Sequence, residues 1–302
     1  MILNETFTMV NGVKIPKLGL GTWEIPNENA AQAVRDAVAL GYRHIDTAEG
    51  YMNEAGVGEG VRTCGVPRAE LFITTKLQAF YKTYEEAKAA IEESLRVSGL
   101  DYFDMMLIHA PQPWTDFRED VNCNEGNLAA WKAMEEAVDE GKLRAIGVSN
   151  FEKADLENII QNGKIKPVVN QILAHISNTP KELITFCENH DILVEAYSPM
   201  GHGVVLSSPQ IKEIADKYQV SVSQLCIRYC LQLGMVAIPK TANPDHMKNN
   251  ADVDFEISSE DMDVLMNMET ITNYGEFAQF PVYGGKMKED YSCEARDFVA
   301  RK

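Results

Sequence analysis

The 302-residue chain carries no G-x-G-x-x-G turn and no G-x-x-x-x-G-K-[ST] loop. The usual glycine-rich evidence for a phosphate cradle on a doubly wound sheet is therefore missing. There is no H-E-x-x-H pair for a metal helix. No apolar run approaches the ~20 residues that a membrane span needs, and no basic-then-apolar segment opens the chain, so no signal peptide is expected. Cysteine is sparse: Cys64, Cys123, Cys187, Cys226, Cys230 and Cys293, with no C-x-x-C spacing. Cys226 and Cys230 could suggest a metal pair. They also fall on one apolar stripe with Val222, Leu225, Tyr229 and Leu233, which reads as core thiols in a helix. Positive charge is in short supply: 28 Lys and Arg face 45 Asp and Glu, for a net charge of −17. That balance argues against a nucleic-acid or anionic-membrane partner. A phosphate-bearing ligand would need local cations and backbone N–H groups. A cytoplasmic monomer is expected.

Hydrophobic residues make up 45% of the chain and charged residues 24%, ordinary globular values. Phe7 to Val10 and Val13 to Ile15 flank Asn11-Gly12, a strong signal for a tight hairpin. Strand-like runs then follow at Leu18 to Gly21, Arg43 to Asp46, Leu71 to Thr75, Phe103 to Ile108, Ala145 to Val148, Val168 to Gln171, Leu193 to Ala196 and Val236 to Ile238. Helical stretches separate them, including Asn29 to Leu40, Tyr84 to Val97, Gly126 to Asp139, Lys153 to Gln161, Lys181 to Asn189 and Ile211 to Tyr218. Ser221 and Gln224 open a further helix with capping-box spacing. Eight strands alternating with helices imply a parallel sheet. The length suits one α/β domain over 1–302, a (β/α)₈ TIM barrel with an N-terminal β-hairpin. From about residue 270 to 302, Tyr274, Phe277, Phe280, Tyr283 and Tyr291 follow no period, and the segment reads as a C-terminal tail over the barrel mouth.

In such a barrel, catalytic groups sit at the C-terminal ends of strands. Seven predicted strands are followed by polar residues: Asp46, Lys76, His109, Ser149-Asn150, Gln171, Tyr197 and Lys240. Polar strand ends are common, which accounts for one or two of these, but poorly for Lys76 and His109 directly after apolar runs. Tyr51 stands on the loop after Asp46. A tyrosine is a sluggish proton donor near its ordinary pKa of ~10. A nearby ammonium would lower that value, a carboxylate would hold the ammonium, and a histidine could orient a substrate oxygen. Asp46, Tyr51, Lys76 and His109 together suit protonation of a carbonyl oxygen gaining negative charge.

These residues sit in motifs that resemble the aldo-keto reductase family. The matching stretches are Gly41-Tyr-Arg-His-Ile-Asp-Thr-Ala with Tyr51 and Asn53-Glu54, Ile73-Thr-Thr-Lys76, Asp101 to Asp104 with Leu107-Ile-His109, Gly147 to Phe151, Val169-Asn-Gln171, Ala196-Tyr-Ser-Pro199 and Ile238-Pro-Lys240. The resemblance, to a bacterial-type aldehyde, ketone or diketo-gluconate reductase-like member, spans roughly residues 5 to 268. It implies an NAD(P)H-dependent reductase of aldehydes or ketones, with a small carbonyl substrate and no Rossmann fold. By carry-over, Tyr51 is the general acid, Asp46 and Lys76 tune it, and His109 orients the carbonyl. Ser149, Asn150 and Gln171 would hold the nicotinamide carboxamide, with Tyr197 stacked on its ring. Thr22, Trp23, Ser198 and Met200 would line the cofactor path, and Lys240, Thr241, His246 and Asn250 its adenosine end.

The chain departs from many relatives at Ala110, where a tryptophan is common, at Gln78, at Leu173 to Ile176, and at His246, where an arginine is common. The substrate pocket is expected at Trp23, Gln78, Ala110 and Trp114. NADPH is expected to be preferred, with some activity on NADH, because a histidine lacks the permanent charge and planar fork of arginine. His44, His175 and His190 read as structural or solvated. A cofactor-binding sensor with little turnover is the competing class, disfavoured by the complete tetrad. The tail is expected to shape substrate choice and leave cofactor affinity untouched.

Overall fold

The computed structural model describes residues 1–287; Tyr291 and the rest of the tail lie outside the described residues. An antiparallel pair, β1 (Thr6–Thr8) and β2 (Lys14–Pro16), forms the expected hairpin. Gly12 turns at φ +81°, and Asn11 Oδ1 accepts the Val13 N–H at 3.1 Å. Met9 and Ile15 pack with Phe72, Met105, Val169 and Val236. Each of those four begins a barrel strand, so the hairpin closes the barrel's N-terminal end.

The barrel strands are β3 (Leu20–Gly21), β4 (His44–Asp46), β5 (Phe72–Leu77), β6 (Met105–Ile108), β7 (Ile146–Ser149), β8 (Val169–Leu173), β9 (Leu193–Tyr197) and β10 (Val236–Ile238). They pair in parallel and in sequence order. The ring closes where Gly19 N–H donates to Ala237 O at 2.9 Å and Gly21 N–H to Pro239 O at 3.1 Å. Glycine is required at this seam: a Cβ on Gly21 would lie 2.9 Å from Ile238 O.

Outside the ring run α1 (Asn27–Ala39), α2 (Glu54–Thr63), α3 (Tyr84–Ser98), α4 (Asn124–Asp139), α5 (Lys153–Asn162), α6 (Lys181–Asn189), α7 (Pro209–Lys217), α8 (Val222–Gln232), α9 (Pro244–Ala251) and α10 (Ser259–Met266). The α8 capping box forms between Ser221 and Gln224, and Cys226 and Cys230 are buried on its core face. Helix α2 has no counterpart in the sequence reading. Its Gly56, Gly58 and Gly60 lower intrinsic helix preference, yet they let α2 pack backbone-close. A Cβ on Gly58 would lie 1.9 Å from Ser98 O, and one on Gly60 2.6 Å from Val34 Cβ.

Several site residues lie inside strands rather than after them. Lys76 pairs with Leu107, Gln171 with Glu195, and Leu173 with Tyr197. The parallel ladder runs on through them because burial on both faces leaves their backbone groups no other partner.

The described part of the tail, residues 270–287, crosses the mouth. It makes two short 3₁₀ turns, Gly275–Gln279 and Pro281–Tyr283. Its anchor is Tyr274, whose hydroxyl bonds His175 Nε2 at 3.0 Å. With no regular backbone pairing, the aromatics are positioned by what they pack against: His202 stacks on Phe277 at 3.9 Å, and Trp23 meets Phe280 edge-on at 5.0 Å.

Candidate active site

The C-terminal strand ends and the tail enclose a cavity of about 810 Å³. Asp46, Tyr51, Gln78, His109, Trp114, Ser149, Asn150, Gln171, Lys240 and His246 line it. Trp23, Tyr197, Ser198 and Met200 contribute further walls.

At the polar end, Lys76 is fully buried. Its Nζ donates to Asp46 Oδ1 at 2.5 Å, Thr47 O at 2.9 Å and the Tyr51 hydroxyl at 3.2 Å. Three acceptors match the three N–H donors of an ammonium. Burial favours the neutral amine, but Asp46 and Tyr51 outweigh it and the Lys76 pKa ends raised. Burial also pushes Asp46 upward, against the pull of Lys76 and of the Gln171 N–H. Tyr51 corrects the sequence argument: burial raises its phenol by more than Lys76 lowers it. The Tyr51 oxygen accepts from Lys76, so its own O–H remains to be donated.

His109 faces Tyr51 edge-on at 5.6 Å between ring centres, and Trp114 closes its far side at 5.2 Å. Burial and Lys76 hold the imidazole well below its ordinary pKa, so the ring is neutral. Its Nδ1 is buried without a partner.

Next to this group lies a shelf of hydroxyls and amides. Ser149 Oγ donates to Gln171 O at 2.9 Å, and Asn150 Nδ2 donates to His109 O and to Ser149 Oγ, each at 3.0 Å. Tyr197 donates its hydroxyl to Asn150 Oδ1 at 2.7 Å. Thr22 Oγ1 donates to Asp46 O at 2.9 Å. Asn150 and Ser198 hold left-handed backbone at φ +60° and +49°, the conformation non-glycine residues adopt mainly under local constraint. Further along, Lys240 and His246 line the cavity, whereas Thr241 and Asn250 are buried outside its lining. Thr241 Oγ1 instead accepts the Asn243 N–H at 3.0 Å.

Ala110 is not where the sequence reading put it. It is fully buried and absent from the cavity lining, and its carbonyl accepts from Lys82 Nζ at 3.4 Å. With His109 turned into the cavity, the next side chain points away. Trp114 does line the cavity, as does Gln78.

Sequence reasoning missed Glu195 and His202, and named Tyr283 only as one of the tail aromatics. Glu195 is fully buried and accepts from Gln171 Nε2 at 2.7 Å. Its signal was a charged residue inside the apolar strand Leu193-Val-Glu-Ala-Tyr197. Tyr283 and His202 line the cavity from the tail and from the loop after β9. No local pattern marks either, because their partners are far away in the chain.

Residues 17–269 match the model of the aldo/keto reductase family. The chain is similar to a glyoxal reductase of Bacillus subtilis, 43% identical over 265 residues, covering 87% of this chain and 92% of that protein. It is similar to a glycerol 2-dehydrogenase (NADP(+)) of Saccharomyces cerevisiae, 38% identical over 285 residues, covering 87% and 90%. Among solved structures, an aldo/keto reductase from Brucella melitensis superimposes with a TM-score of 0.82 at 39% identity, covering 88% of this chain and 98% of that one.

Proposed function

This chain belongs to the aldo/keto reductase family, and from that premise we propose that it reduces aldehydes and ketones to alcohols with NADPH preferred over NADH and Tyr51 as the general acid. Its homologues support nicotinamide-dependent carbonyl reduction in general. The observation that carries the finer reading is the Tyr51 hydroxyl, 3.2 Å from Lys76 Nζ on the wall of the cavity.

The residues suit a nicotinamide dinucleotide. The cavity joins a hydroxyl-and-amide shelf to the cation Lys240. Gln171, Asn150 and Ser149 offer the polar groups for a carboxamide, Tyr197 a ring face, and Lys240 with His246 the far end. When bound, the dinucleotide supplies the hydride. The chain's own residues do the rest. His109 is neutral, and in the tautomer that carries its proton on Nε2 the ring is a donor that can orient the carbonyl oxygen. Tyr51 donates its proton as charge develops on that oxygen. Lys76, fixed by Asp46, stabilises the phenolate that remains. Trp23, Trp114 and Phe80 exclude water around the reacting carbon. In the free protein Lys76 offsets only part of what burial adds to the phenol.

Glyoxal-type aldehydes are the first substrates to test, given the similarity to a glyoxal reductase. Purified protein should oxidise NADPH in the presence of methylglyoxal. Tyr51→Phe should bind NADPH normally and lose about 10²–10⁴ in kcat. A Tyr51→Phe enzyme turning over near the wild-type rate would refute the acid assignment.

A further inference from the structure

Gln171 and Glu195 are register partners on β8 and β9, and both side chains turn into the barrel. Gln171 Nε2 donates one N–H to Asp46 Oδ2 at 2.8 Å and the other to Glu195 Oε2 at 2.7 Å. The Asp46 carboxylate, paired with Lys76, settles which side of this amide carries nitrogen, because an amide oxygen turned to it would meet only an acceptor. Both N–H groups are thereby used, and Gln171 Oε1 is left for a ligand.

The buried charges do not balance if both carboxyls ionise. Lys76 is already paired with Asp46. The titratable groups facing Glu195 are His44 and Asp46 from β4, Lys76 from β5 and Tyr51 from the loop after β4. His44 Nε2 lies 3.5 Å from Glu195 Oε1, with Thr74 Oγ1 at 3.1 Å from the same nitrogen. Glu195 Oε1 itself has no hydrogen-bond partner. A charged carboxylate left so in a dry core would be costly, whereas an Oε1–H can point at a neutral imidazole.

We propose that Glu195 is a positioning residue: a neutral carboxyl beneath the site that fixes the Gln171 amide for the nicotinamide carboxamide and keeps an extra negative charge away from Tyr51. The proposal rests on the carbonyl-reductase reading above. Burial and Asp46 push the Glu195 carboxyl up to about 8, and burial with Lys76 pushes His44 down to about 3. A neutral acid therefore faces a neutral imidazole at pH 7. The sign of the pH effect follows. Ionised Glu195 raises the Tyr51 phenol, which makes it a poorer acid, so kcat should fall as pH rises through the region where Glu195 loses its proton.

The test compares Glu195→Val, Glu195→Gln and wild type by NADPH fluorescence titration and by kcat with methylglyoxal from pH 6 to 10. Glu195→Val frees the Gln171 amide and should weaken NADPH binding about tenfold or more, the size of losing one buried partner of a polar group. Glu195→Gln keeps an acceptor for Gln171 but cannot ionise. It should hold the NADPH Kd within about threefold and shift the alkaline fall in kcat upward by about one pH unit. A Glu195→Val protein with wild-type Kd overturns the positioning role. If that variant does not fold, the Glu195→Gln profile decides, and an unmoved alkaline limb overturns the proposal. A wild type that neither binds NADPH nor reduces methylglyoxal refutes the reductase reading itself, whereas a working wild type matched by Glu195→Val refutes only the role of Glu195.

Discussion

The Tyr283 hydroxyl lies 2.8 Å from Ser198 Oγ, 85 residues back along the chain. This contact ties the tail to the strained shelf residue after β9, and both side chains line the cavity. A tail that touched only the substrate would make no such bond. Tyr283→Phe removes one hydroxyl from a part-buried pair, a loss of about 1 kcal/mol. The expected result is a roughly fivefold rise in the NADPH Kd, together with altered KM values for aldehydes. Titration of both proteins with NADPH checks it, and an unchanged Kd would restore the expectation that the tail acts on substrate alone.

Gly58→Ala should destabilise the fold without touching the chemistry. The added methyl would sit 1.9 Å from Ser98 O, and backbone cannot step aside as a flexible side chain can. Overpacking of this kind costs about 1–3 kcal/mol or more, against the small gain in helix preference from alanine. Thermal unfolding should show a drop of several degrees, with kcat per folded molecule preserved. A Tm equal to wild type would mean that α2 and α3 can separate freely.

Much of this architecture is legible in the sequence because its signals are local. Asn11-Gly12 encodes a turn, and short apolar runs alternating with amphipathic stretches encode the barrel. Tyr51, Lys76 and His109 stand out because polar groups follow apolar strands. Helix α2 escapes notice because Gly56, Gly58 and Gly60 answer to neighbouring helices rather than to their own. Ala110 misleads for the opposite reason: adjacency to His109 suggests a shared wall, but successive side chains in extended backbone face opposite ways. The Ser198–Tyr283 and Gln171–Asp46 contacts depend on three-dimensional closure across 85 and 125 residues, which no window of sequence reveals.

Glu54 gives a pH-dependent stability. It is buried, accepts from Thr75 Oγ1 at 2.5 Å, and burial pushes its carboxyl up from 4.5 to about 7. The folded state thus holds this proton more tightly than the unfolded chain does. Its contribution is fully present below the unfolded pKa and is lost as pH rises through about 7. Glu54→Gln keeps the acceptor and cannot ionise. It should raise Tm relative to wild type by more at pH 8 than at pH 5, a difference of about 2 kcal/mol in stability. Thermal melts of both proteins at the two pH values measure this. An equal offset at both would show that the Glu54 carboxyl does not titrate on folding.

If the cavity binds NADPH as proposed, cofactor choice turns on what holds the adenosine 2′-phosphate. NADPH carries a 2′-phosphate that NADH lacks, and a chain with net charge −17 repels it at long range. Local groups must overcome that field. Lys240 and His246 line the cavity. Helix α9 helps less than its N-terminus suggests, since Asn243 Oδ1 already accepts the Asp245 N–H at 2.8 Å and Asp245 places a carboxylate in the first turn. On the proposed reading Lys240 would be the main phosphate cation, and NADPH should be preferred by a modest factor, with measurable NADH turnover. His246 is exposed, so a longer side chain can extend from it without repacking. Arginine there adds a permanent charge and a planar fork suited to phosphate. His246→Arg should raise the ratio of kcat/KM for NADPH over NADH by about tenfold, the scale of one charge-assisted hydrogen bond. Lys240→Met should lower the same ratio. Both ratios come from steady-state kinetics with one aldehyde at fixed ionic strength. A wild type that favours NADH outright, or a ratio that neither substitution moves, would place the phosphate-recognising charge elsewhere.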